Sequence, residues 1–69
     1  MSEAEEIAKE IVDCETILEN MRHTNFDQLS YDDRVAFEAR RMEVRRRLRL
    51  AETKRDAFIY SAVHEDEEQ

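Results

Sequence analysis

Residues Arg34 to Arg55 read RVAFEARRMEVRRRLRLAETKR and hold all of the chain's 11 basic residues except Lys9 and Arg22, although the formal net charge is −7. A basic segment in an acidic chain needs a counter-surface, which is either nucleic acid or the chain's own carboxylates. The apolar spacing within it narrows the choice. Phe37, Arg41, Val44, Leu48, Ala51, Arg55, Phe58 and Ala62 follow one another at alternating steps of four and three, which is the seam of a helix that packs along another helix. Ser30 supplies an N-cap, with Asp33 at the third helical position. The long helix is therefore expected over about residues 30–64. A second stripe, Tyr31, Val35, Ala39, Met42, Leu50, Ala57 and Tyr60, falls nearly opposite the first when stepped around the helix.

Upstream, Ala4, Ile7, Ile11, Cys14, Leu18 and Met21 repeat the heptad spacing. Ser2 and Glu5 form a capping box, and Glu3, Glu5 and Glu6 suit the positive end of a helix dipole. These place a short helix over about residues 3–23. Its outward positions carry Glu3, Glu5, Glu6, Glu10, Asp13, Glu15 and Glu19 against Lys9 and Arg22. Thr24, Asn25 and Asp27 interrupt the pattern with side chains that compete for backbone hydrogen bonds, so a short loop follows. Phe26 and Leu29 within it are read as plugs for the end of the core, and His23 as a cap for the last carbonyls of the short helix.

An antiparallel fold-back then sets Ala4 against Ala51, Ile7 against Leu48, Ile11 against Val44, Cys14 against Arg41, Leu18 against Phe37 and Met21 against Arg34. The flanking residues were not used to choose that register, yet it pairs Glu3 with Lys54, Glu10 with Arg47, Glu15 with Arg45 and Arg22 with Glu38, each opposite in sign. Exposed pairs stabilise little but select orientation. The basic helix is matched by the acidic one.

Composition agrees with this reading. Charged residues make up 42% of the chain and Gly and Pro are absent, a profile of long solvated helices without strands or tight turns. No membrane span or secretory signal is legible, so a soluble, cytoplasmic protein is expected, and the single cysteine, Cys14, points to a reducing compartment. The fold expected is all-α: one hairpin domain over residues 1–64, with 65–69 a disordered acidic tail. At this size a single core is close to the limit of self-sufficiency. Beyond Ala51 the long helix outruns the short one, which leaves Phe58, Ile59, Ala62 and Val63 uncovered, with Tyr60, Met42 and Leu50 on the second stripe. These seven form the expected interface, and a homodimer in a two-fold, four-helix arrangement is the simplest way to cover them.

No catalytic, cofactor or metal signature is present. Cys14 lies on the buried seam as a small core residue without an activating neighbour. His64 beside Glu65, Asp66 and Glu67 offers contiguous ligands on a chain end, which do not make a preformed metal site. Arg45, Arg46 and Arg49 are the candidate phosphate contacts, without interleaved aromatic residues to stack bases. The functional expectation is a small non-enzymatic adaptor or regulator, in the style of bacterial or bacteriophage accessory proteins, that works through protein–protein contact. A nucleic-acid-binding regulator is the second reading. A third is an acidic mimic of DNA that occupies another protein's binding groove.

Overall fold

The computed structural model describes residues 2–64 and shows an all-α helical hairpin. Helix α1 spans Glu3–Arg22, a single 3₁₀ turn covers Phe26–Gln28, and helix α2 spans Tyr31–His64. The acidic tail, and the contiguous ligands after His64 that the sequence reading discounts as a metal site, fall on residues outside those described, apart from the backbone of His64.

Both helix starts are set by serine. Ser2 Oγ accepts from the Glu5 amide at 3.2 Å, as a cap does, and donates to the Glu5 carboxylate at 3.3 Å, so the carboxylate takes the hydroxyl where a full capping box would have it on the Ser2 backbone N–H. Ser30 Oγ accepts from the Asp33 amide at 3.2 Å. α1 stops one residue earlier than expected, with His23 as its C-cap: the backbone N–H of His23 donates to the Asn20 carbonyl and that of Thr24 to the Met21 carbonyl. Its ring does not reach the terminal carbonyls. Nε2 lies 3.3 Å from Glu19 Oε1 instead, because the i,i+4 geometry brings that carboxylate within reach.

The loop is held by an arginine that sequence reasoning had placed elsewhere. Arg34 was set in the seam against Met21, but its Nε donates to the Leu29 carbonyl at 3.1 Å and its Nη2 to the Asp27 carbonyl at 2.9 Å. The guanidinium also lies 5.5 Å from the Phe26 ring centre, and that ring meets Phe37 at 5.7 Å. The head that was expected in water is instead satisfied by backbone carbonyls left open at the turn. Phe26 and Leu29 are half-buried, as plugs would be.

The core sits along the first three turns of α1. Ile7, Ile11, Cys14, Val44 and Ala51 are buried, with Leu48 packed against them. Toward the loop the seam loosens: Leu18, Met21 and Phe37 are only half-buried around a cavity of about 150 Å³ that Arg41 also lines. Arg41 follows the expected pattern of a stem along the seam, with Nη2 reaching Glu38 at 2.8 Å and Nε buried without a partner. A compact chain of this length would have a radius of gyration of about 11 Å, whereas this one has 16.8 Å and extends 59 Å along its axis. The molecule is a thin rod with little interior.

Candidate functional site

One groove lies between the helices at their open end. Its floor is Ile7 and Ala51, its rims carry Glu3, Glu6 and Glu10 from α1 and Arg47 and Lys54 from α2, and Leu50 closes one side in a cavity of about 490 Å³. Arg47 Nη2 donates to Glu10 Oε1 at 2.7 Å, the shortest ion pair among the described residues and one of the four that the register requires. The hydrogen bond from Arg47 lowers the Glu10 carboxyl below its ordinary range, and the Arg47 guanidinium is correspondingly held more firmly protonated by Glu10.

The other three expected pairs do not close. Arg22 turns to Glu19 at 3.4 Å and Glu38 to Arg41, both within one helix. Glu3 and Lys54 share the groove rim, and Arg45 and Glu15 stay apart, without forming ion pairs. Long exposed side chains take the nearest partner one helical turn away when the cross-helix gain is small.

Cys14 is fully buried, and its Sγ lies 3.9 Å from Glu10 Oε1. Burial first, and then the Glu10 charge, push the thiol up from its ordinary value, which opposes thiolate formation. Among the described residues no group of three or more His, Cys, Asp or Glu side chains is placed to hold a metal ion, and no helix is long and apolar enough to cross a membrane.

The seven residues expected at an interface separate onto three faces. Phe58 and Ile59 line an apolar cavity of about 230 Å³ with Ala4, Ala8 and the stem of Arg55. Phe58 was expected to stand clear of α1, but it leans back onto the first turn of that helix and is the least exposed of the large apolar residues beyond Ala51. The reason is geometric, since Cα–Cβ bonds tilt toward a helix N-terminus and α2 runs antiparallel to α1. Leu50 belongs to the inter-helix groove and not to the opposite face. Met42, Tyr60 and Val63 are exposed, as is Ala62.

Met42 is surrounded by the three candidate phosphate contacts. Met42, Arg45, Arg46 and Arg49 line a shallow cavity of about 270 Å³, and none of these arginines makes an ion pair. Sequence reasoning had given Arg45 to Glu15 and left only Arg46 and Arg49 unclaimed. The stripe through Asp56, one turn above Tyr60 on the same side, passed unremarked because hydrophobic spacing was the signal sought. Comparisons with protein-family models, curated proteins and solved structures gave no match.

Proposed function

We propose that this chain is a small non-enzymatic adaptor or regulator, a helical hairpin that self-associates and presents its long helix to another protein. One observation carries this reading. Past Ala51, the last buried residue of α2, the helix continues through His64, about 20 Å at 1.5 Å per residue, and exposes Phe58, Ile59, Tyr60 and Val63 along it. Large apolar side chains exposed on more than one face of so thin a molecule are the surface signature of protein contacts.

The energetics point the same way. Five buried residues make up the core, and ordering each residue of a small chain costs roughly 1.5 kcal/mol. Association that buries more apolar surface is the available source of further stability. Chemistry finds less support. The groove beside Glu10 has its acid already satisfied by Arg47, and the sole thiol is enclosed and held protonated.

Nucleic-acid binding through Arg45, Arg46 and Arg49 is the second reading, favoured by the absence of ion pairs on all three. The net charge of −7 opposes it. Sedimentation equilibrium from micromolar to submillimolar concentration tests the leading proposal. A reversible dimer is the expected result, and a monomer throughout would overturn self-association.

A further inference from the structure

Self-association raises the question of which face meets the second copy. On the outer side of α2, Ala39, Met42, Arg46, Arg49, Thr53, Asp56, Tyr60 and Val63 recur at alternating three- and four-residue steps, a second heptad seam roughly 150° around the helix from the first that sequence hydrophobicity conceals. Met42, Tyr60 and Val63 on it are 62%, 63% and 64% exposed. Met42, Arg45, Arg46 and Arg49 stand at i, i+3, i+4 and i+7, which are the four corners of a hole that a knob from a facing helix fills, and a cavity lies between them.

We infer that this outer face is the contact between two copies of the chain, with the two long helices antiparallel, Met42 against the second copy's Tyr60, Arg46 against its Asp56, and Arg49 against its Thr53. The inference rests on the self-association proposed above and adds its register. Two-fold symmetry repeats each contact, and Ala39 then falls against Val63 of the second copy. The knob that enters the hole ringed by three arginines is Asp56, an acid. Among the described residues the Asp56 carboxylate pairs with its sequence neighbour Arg55, at 3.4 Å. Thr53 Oγ1 donates to the Arg49 carbonyl at 2.9 Å, which leaves the hydroxyl oxygen as an acceptor for a guanidinium.

Neighbouring registers gain less from charge. Sliding one copy by a heptad in one direction puts Arg46 against Arg49 of the other copy. Sliding it the opposite way puts Arg46 against Val63 and Asp56 against Thr53, with no ion pair. The chosen register has a single like-charged contact, Glu52 meeting its own symmetry mate at the two-fold axis. Phe58 faces away from this seam, so the cavity it shares with Ala4 and Ala8 stays open for another protein.

Charge reversal followed by sedimentation equilibrium tests the register. Arg46→Glu and Asp56→Arg should each weaken the dimer about tenfold, because symmetry breaks two ion pairs in each case. The double variant should return to within about threefold of the wild type, as coupled partners do. Glu52→Gln should tighten the dimer, and Phe58→Asp should leave it intact, while circular dichroism confirms helicity in every variant. A wild-type dimer unchanged by either reversal would overturn the register and leave self-association standing. A monomeric wild type would overturn both. If that monomer retains a labelled nucleic-acid duplex at low salt and Arg46→Glu loses it, the face belongs to phosphate and the inference fails.

Discussion

Ile11 and Val12 are adjacent β-branched residues on α1, and the hairpin gives them opposite fates. Ile11 is 8% exposed on the seam, whereas Val12 is 60% exposed on the outer side. Replacing Ile11 with alanine removes three buried carbons, about 2.4 kcal/mol at roughly 0.8 kcal/mol each, with a cavity term that the open sides of the seam keep small. Alanine's better helix propensity returns about 0.4 kcal/mol, for a net loss near 2 kcal/mol. Val12→Ala removes two carbons that are mostly solvated, and the same propensity gain offsets them, so its stability should stay within about 0.5 kcal/mol of the wild type. Thermal unfolding followed by far-ultraviolet circular dichroism reads the difference, with Ile11→Ala melting lower by about 8–16 °C. Urea titration at two protein concentrations separates this intrinsic change from any change in association. Equal losses at the two positions, or a larger one at Val12, would refute the rotation of α1 about its axis and with it the register of the hairpin.

Other consequences follow from the loop, the cap and the ionisable groups. Arg34→Lys should cost about 1–2 kcal/mol in urea unfolding, because an ammonium cannot span both the Leu29 and Asp27 carbonyls as the guanidinium does. Ser30→Ala should cost about 1 kcal/mol by removing the acceptor for the Asp33 amide, read as a lower midpoint with an unchanged denaturant slope. Glu10 has its carboxyl lowered in the folded chain, so its contribution is fully present above the ordinary value of 4.5 and is lost as pH falls through the folded value. Arg47→Gln should flatten that acid-side loss in a series of urea midpoints. Cys14 is raised, so its contribution is present below 9.0 and is lost as pH climbs through the folded value. Cys14→Ala should remove that alkaline component, and an unchanged alkaline slope would refute its assignment to the thiol.

The hairpin was legible because its two strongest signals are local. Ser2 and Ser30 announce helix starts through side-chain acceptors that bind amides three residues on, and the heptad spacing fixes which face is buried whatever the partner. Charge pairing was legible in direction and not in detail. Opposite sign at facing positions identified the Glu10–Arg47 bridge, but it could not say that Glu38 and Arg22 would prefer neighbours on their own helices. That choice is a difference between two small energies, and side-chain entropy decides it. The destination of the Arg34 head was hidden for a related reason: the seam pattern gives a position, but the open carbonyls at the turn are known only once the 3₁₀ segment exists. Phe58 shows a third limit, since the tilt of Cβ along a helix moves a side chain by about a turn relative to its backbone layer.

The arrangement of arginines connects these limits to function. A basic helix paired with an acidic one within a single chain needs cations only at the positions flanking its seam, and Arg47 meets that need. Arg46 and Arg49 lie on the far side of α2, away from α1 and without an ion pair to Glu43 or Glu52 one turn along their own helix, and Arg45 stays open although Glu15 was within the expected register. Their positions therefore have no account inside the monomer beyond solvation. Asp56 and Thr53 lie on the same outer stripe, displaced toward the C-terminus. Antiparallel two-fold pairing converts such a displacement along one helix into opposition across two. A stripe with cations in one half and acceptors in the other is self-complementary only in that orientation, and a parallel pairing would set Arg46 against Arg46. The charge separation that first marked the segment as basic thus operates twice, once across the hairpin and once between copies.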